Sequence, residues 1–161
     1  ELASHYGPLI DEKHKTKLLE TLVSYEENCE VFKFGKDDGN FLGARLMVHS
    51  SPEAEILRNE IFGPVLNLVE YDSLDQAFNL FSQFGSELQG SIYTSDHDSL
   101  MLAHSRLNTG ALMHNFPPTF RLDHMPYGGN GKSGFGREGI EYAFEEYCDR
   151  RLLVINSPGL N

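Results

Sequence analysis

Tryptophan is absent from this 161-residue chain, and cysteine occurs only twice, at Cys29 and Cys148. Neither belongs to a C-x-x-C pair, which excludes zinc ribbons and thioredoxin-type redox sites. Two distant cysteines suit a reducing compartment, and a cytoplasmic location is expected. Basic residues are also scarce. Thirteen Lys and Arg face 24 Asp and Glu, a formal net charge of -11. Nucleic acid and anionic membrane both require a basic patch, so neither is an expected partner. No apolar run approaches the roughly 20 residues that span a bilayer. There is no secretory pattern at the N-terminus. The first residues, ELASHYGPLI, lack a methionine, which hints at a truncated or processed start. Repeats and low-complexity tracts are missing as well.

What is present is the composition of a packed protein, 40% hydrophobic and 11% aromatic. Helix-like and strand-like segments alternate along it. Residues 11–28 place Leu18, Leu22 and Tyr25 on one helical face, after Pro8 at a natural start. EVFKF (30–34) is a short strand. FLGARLMVHS alternates, with Leu42, Ala44, Leu46 and Val48 facing one way and Arg45 and His49 the other. VLNLVEY (65–71) is a third strand. Ser73 and Gln76 form a capping box, and Gly85 is placed to end the helix that follows. Residues 90–96 read as strand, 97–107 as helix and 110–115 as strand. Ile140, Ala143, Phe144 and Tyr147 make a last helical stripe. RRLLVIN (150–156) closes the chain as a strand. The pattern predicts an α/β layered sheet with helices on both faces and mostly parallel crossovers. The proline-rich segment 115–126 is too long for a simple turn, and such loops are often functional.

Residues 128–139, GGNGKSGFGREG, contain two nucleotide-like patterns. A P-loop requires G-x-x-x-x-G-K-[ST] directly after a strand. Pro126 stands where its first glycine belongs, and the preceding residues are loop-like. GFGREG spells G-x-G-x-x-G, but no strand precedes it. The chain also ends before a second strand and its acidic residue. The favoured reading is conformational: these glycines permit positive φ and close packing where a long loop enters a helix.

NEIFGPVL (59–66), GALMHN (110–115) and HMPYGGNGKSGFGREG (124–139) occur in that order. Together they resemble the C-terminal part of the NAD(P)-dependent aldehyde dehydrogenase superfamily. GPLIDEKHKTKLLETL (7–22) fits too, so the resemblance covers essentially the whole chain. It is most similar to the branch acting on small hydroxylated or phosphorylated aldehydes. The resemblance implies residues 1–149 as part of a catalytic domain and 150–161 as a terminal oligomerisation strand and tail. It implies a homo-oligomer, an aldehyde substrate, and NAD or NADP as cofactor. In that family a cysteine thiolate attacks the aldehyde, hydride passes to the nicotinamide, and a glutamate-activated water hydrolyses the thioester. The nucleophile, the glutamate base and the dinucleotide fold lie upstream of the segments matched here.

The resemblance assigns Glu60 to the hydroxyls of the nicotinamide ribose and Phe62 to a place beside the nicotinamide ring. From the residues alone, Glu60 is a solvated acid and Phe62 a packing residue. Gly63 and Pro64 shape the turn into the next strand. His114, Asn115 and Phe116 end a strand at the loop that walls the family's aldehyde tunnel. Phe116 and Phe120 are expected as apolar wall, and Arg121 or His124 as partners of a polar or anionic group. Arg137 and Glu138 are expected to pair with neighbouring elements or a partner subunit. Gly131 stands where the family commonly keeps a larger apolar residue. A lone histidine at the 115–126 loop is usually a packing or loop residue, and no second histidine or carboxylate stands at metal-ligand spacing, so no metal is expected. Cys29 lies between acidic neighbours, which raise a thiol pKa. Cys148 continues the apolar stripe of the last helix. Both read as inert, leaving no catalytic residue in the chain. Two functional readings follow: an enzyme piece inactive alone, or a stand-alone binding or interaction module with the same fold.

Overall fold

A computed structural model describes residues 5–85, 87–156 and 159. The chain divides into two compact units, Glu1–Gly85 and Ser86–Asn161.

In the first unit, Asp11 starts helix α1 (Glu12–Tyr25) by accepting the His14 N–H at 2.6 Å. That bond satisfies one of the amides the first helical turn leaves without a partner. Leu18 and Leu22 are buried on one face of α1, with Tyr25 packed against the same core. Strands β1 (Cys29–Phe34), β2 (Ala44–His49) and β3 (Val65–Val69) form one sheet in the order β1-β2-β3. β1 runs antiparallel to β2, and β3 runs parallel to it. A short connection permits the antiparallel pair, whereas the parallel pair needs a longer crossover. The expectation of mostly parallel crossovers therefore holds at β2–β3, with β1–β2 an antiparallel pair beside it.

The period of two on β2 is observed, but the covered face is the one bearing polar residues. Arg45, Met47 and His49 are buried, at 7%, 0% and 5% exposure. Each polar group has a partner. Arg45 Nη2 meets both Asp37 carboxylate oxygens at 2.9 and 2.8 Å, and Nη1 donates to the Gly43 carbonyl at 2.6 Å. His49 Nε2 donates to Asn67 Oδ1 on β3 at 2.9 Å. Burial pushes the Asp37 carboxyl up, but the Gly43 amide and the Arg45 and Lys15 charges outweigh it, holding it below its ordinary value. Met47 belongs to the core with Leu18, Leu22, Leu42 and Ile56. Leu42 and Met47 are fully buried, which is worth roughly 1.5–3 kcal/mol each. On the other face, Phe32, Phe34, Leu66 and Leu68 are exposed.

Helix α2 (Leu74–Phe84) closes the unit. Ser73 accepts the Gln76 N–H at 3.2 Å, and Gln76 Oε1 accepts the Asp72 N–H at 2.6 Å, one residue before the cap. Gly85 ends the helix at φ 67°, a left-handed conformation that costs glycine little.

The second unit is a β-α-β crossover of β4 (Gln89–Ile92), α3 (His97–Arg106) and β5 (Ala111–His114), its strands parallel. Asp96 caps α3 by accepting the Ser99 N–H at 2.8 Å. Helix α4 (Ile140–Tyr147) follows the glycine-rich loop. Its predicted stripe exists, but Ile140, Phe144 and Tyr147 are exposed. Cys148 is exposed and lies beyond the helix, so it does not extend that stripe. The strand expected at 150–156 does not form. Residues 150–156 pair with no strand among the described residues, and Leu152, Leu153, Val154 and Ile155 are exposed. Of the tail beyond, residues 157, 158, 160 and 161 lie outside the described residues. No helix among the described residues is long and apolar enough to cross a membrane.

Candidate functional site

Glu60 and Phe62 stand between the 3-10 turn Glu55–Arg58 and β3. This segment has no regular structure, yet it is pinned at several points. His14 of α1 donates Nε2–H to the Phe62 carbonyl at 2.7 Å. Gly63 N–H reaches Ile61 O at 2.9 Å, and Val65 N–H reaches Gly63 O at 2.8 Å, two successive tight turns. Pro64 O accepts from Arg45 N–H at 2.9 Å. The side chains of Glu60 and Phe62 are left exposed, Phe62 at 70%. Both line a cleft of about 220 Å³ with His14, Lys17 and Tyr25. An ionised carboxylate is acceptor-only and can take two hydroxyl donors. An exposed phenyl ring beside it offers a flat apolar contact. The pair can therefore accept hydroxyl donors and contact a flat apolar surface. His14 escaped the sequence reading. Its signal was spacing: it lies four residues before Leu18, on the face of α1 that Gly63 approaches.

The other predicted site residues lie in the second unit, at the C-terminal end of β5. Asn115 is the one non-glycine described residue with positive φ, 56°. Its Oδ1 accepts from Thr94 N–H at 3.0 Å, and its Nδ2 donates to Thr94 O at 3.1 Å. His114 Nε2 reaches the same carbonyl at 2.9 Å. These bonds tie the end of β5 to the residues after β4. Phe116 and Phe120 pack ring to ring, centroids 4.8 Å apart, and Phe116 is half exposed. Arg121 stacks on the Tyr127 ring, its Cζ 4.3 Å from the centroid, and pairs with Glu138 at 3.7 Å. Tyr127 and Glu138 form an isolated antiparallel bridge at the neck of the glycine loop.

Within that loop Gly131, Gly134, Gly136 and Gly139 all have positive φ, as the conformational reading requires. Arg137 is turned inward. It donates to the Gly129 and Gly136 carbonyls at 3.0 and 2.7 Å and to Asn130 Oδ1 at 2.7 Å. A side chain at Gly110 would overlap the Gly128 carbonyl, so the loop lies directly against the start of β5.

Neither cysteine lines the cleft around Glu60. Burial and the nearby Glu26 carboxylate push the Cys29 thiol up, and its Sγ faces the Tyr25 carbonyl at 3.3 Å. Among the described residues, no group of three His, Cys, Asp or Glu is placed to hold a metal ion.

The profile of the aldehyde dehydrogenase family matches residues 1–153. The 3-sulfolactaldehyde dehydrogenase of Priestia aryabhattai is 33% identical over 151 residues, covering 93% of this chain and 32% of that protein. Aldehyde dehydrogenase 21 from Physcomitrella patens, solved with its product succinate, matches with a TM-score of 0.84 at 27% identity. The match covers 96% of this chain and 32% of that one. The NADP-dependent glyceraldehyde-3-phosphate dehydrogenase from Bacillus halodurans, solved with NADP, matches with a TM-score of 0.76 at 30% identity. There the coverage is 85% and 29%. The chain thus spans about a third of the length of the relatives it matches.

Proposed function

The chain belongs to the aldehyde dehydrogenase family, and we propose that it works as the C-terminal portion of that enzyme's catalytic domain. The whole enzyme oxidises a small hydroxylated or phosphorylated aldehyde to a carboxylic acid through a cysteine thioester. NAD or NADP, when bound, supplies the hydride acceptor. Glu60 takes the ribose hydroxyls, and Phe62 limits where the nicotinamide ring can rest. His14 holds the Phe62 backbone in place. Phe116 and Phe120 form an apolar wall of the aldehyde path, with His114 and Asn115 anchoring its start. Arg121 meets an anionic substituent of the substrate.

The observation that carries this reading is the exposed Glu60–Phe62 pair on a pinned backbone at one cleft. A carboxylate and a phenyl ring that the core does not use are available to a ligand. The portion reading is supported by uncovered apolar surface. One sheet face, the stripe of α4 and residues 152–155 are all left to solvent. Apolar surface on that scale marks an interface. Burial and Glu26 push the Cys29 thiol up, and neither cysteine lines the cleft around Glu60, which supports a chain that is inactive alone.

The test compares formation of reduced cofactor by this chain alone and by a protein carrying it with the rest of the fold. The chain alone gives none. In the longer protein, Glu60→Gln raises KM for NAD(P) roughly ten- to a hundredfold, the effect of weakening hydrogen bonds to a charged acceptor. Turnover by the chain alone, or an unchanged cofactor KM in that variant, would overturn the reading.

A further inference from the structure

The glycine loop resembles a phosphate cradle, and its geometry shows an anion already there. It is the carboxylate of Glu87. Glu87 Oε2 accepts the Lys132 N–H at 2.9 Å, and Oε1 accepts from Asn108 Nδ2 at 3.0 Å. The Glu87 carbonyl accepts from the Asn130 and Gly110 amides at 3.0 and 2.9 Å. Asn130 Nδ2 in turn donates to Asn108 Oδ1 at 3.1 Å, and Arg137 donates to Asn130 Oδ1. Glu87, two residues before β4, thus joins the approach to β5 with residues 130–132 of the glycine loop.

We propose that Glu87 is the positioning residue of this loop, and that through it Glu87 sets the place of Arg121. The route is short. Glu87 and Asn108 fix residues 130–132, and Arg137 fixes 129 and 136. Tyr127 and Glu138 then face each other at the neck, and these two residues hold Arg121. The carboxylate also explains Gly131. A Cβ at 131 would overlap Glu87 Oε2, and its φ of 52° disfavours any other residue. A larger residue at 131 and a carboxylate at this spot exclude each other. Gly131 and Glu87 therefore form a matched pair. The inference stands whether or not the chain serves an oxidoreductase, because its test uses no turnover.

The experiment is a double-mutant cycle on the whole chain with Glu87→Ala, Gly131→Ala and the pair, read by thermal unfolding. Glu87→Ala removes the carboxylate, and Gly131→Ala evicts it. Both lose the same bonds, so the double variant shifts Tm by less than the sum of the single shifts. Additive shifts would overturn the pairing. Glu87→Gln, nearly isosteric, provides the second arm by NMR. The Lys132 amide is expected to exchange at least tenfold faster than in the parent, as its charged acceptor is lost. The Arg121 side-chain protons, expected upfield in the parent because the guanidinium lies over the Tyr127 ring, are expected to move toward their random-coil positions in Glu87→Ala. Unchanged Lys132 exchange would remove Glu87 from the loop's support, and unmoved Arg121 protons would break the link to Arg121.

Discussion

Leu18 and Gly63 meet so closely that a methyl group at 63 would lie 2.5 Å from Leu18 Cδ2. Leu18 is in the core of the first unit and also lines the cleft beside Glu60. Gly63 follows Phe62, whose carbonyl is held by His14, one helical turn before Leu18. Gly63→Ala therefore has to push the Leu18 side chain out of its packed position or separate α1 from the 60–64 segment. Overpacking of this kind typically costs about 1–3 kcal/mol. Urea unfolding is expected to show a loss in that range. A midpoint unchanged from the parent would mean that α1 is not seated on the segment bearing Glu60.

The Asp37–Arg45 pair predicts a specific acid response. Asp37 holds its proton less tightly in the folded chain than at its ordinary value of 3.8. As pH falls, the unfolded chain takes up this proton first. The contribution of Asp37 is therefore complete above about pH 4 and declines as pH drops through the lower folded value. Asp37→Asn is expected to flatten that part of the stability curve. It also weakens the partner of a guanidinium that is 6% exposed, while Asp37 itself is 38% exposed. Loss of a fully buried pair costs about 3–5 kcal/mol. With one partner facing water, about 1–2 kcal/mol at neutral pH is expected. Parallel stability curves for parent and variant below pH 4 would contradict this account.

These residues also show where sequence reading reaches its limit. The alternation along β2 was legible because a strand has period two. Which face is covered was not, because the partner that allows Arg45 to be buried is Asp37 in a separate loop. The positive φ angles of the glycine loop were legible from composition. The Glu87 contact was not, because it joins residues 45 apart. The stripe of α4 was read correctly, but burial of a stripe depends on a neighbouring surface. The same holds for residues 150–156. They have strand-like composition, but a strand needs another edge for its amides and carbonyls.

Thiol chemistry separates the two cysteines. Cys148 is exposed. Cys29 is partly covered, and burial and Glu26 push its thiol up, reducing the reactive thiolate. An uncharged alkylating reagent near neutral pH is expected to modify Cys148 first and Cys29 at least several-fold more slowly. Peptide mapping by mass spectrometry gives both rates. Cys29→Ser and Cys148→Ser in the longer protein are expected to keep turnover. Loss of all turnover in a folded variant would make that thiol a catalytic candidate.

Asn115 combines two effects that substitutions can separate. Its backbone is left-handed at φ 56°, and its amide holds both the N–H and the carbonyl of Thr94. Asn115→Ala loses the amide bonds and, with them, the local hydrogen bonding that lets asparagine tolerate a left-handed backbone, expected to cost about 2–4 kcal/mol in total. Asn115→Gly loses the same bonds but not the backbone conformation, so it should recover about 1–2 kcal/mol of that. Asn115→Asp tolerates the backbone and still accepts the Thr94 N–H, but turns a carboxylate oxygen toward the Thr94 carbonyl. It is expected to be less stable than the parent and more stable than Ala. The expected order in urea unfolding is Asn, then Asp and Gly, then Ala. The Phe116–Phe120 stack begins at the next residue, so the near-ultraviolet circular dichroism of those rings should weaken in the same order. Equal stability of Ala and Gly would show that the left-handed backbone stores no strain. An unaltered aromatic signal in Asn115→Ala would show that the Thr94 clamp does not position the phenylalanine wall.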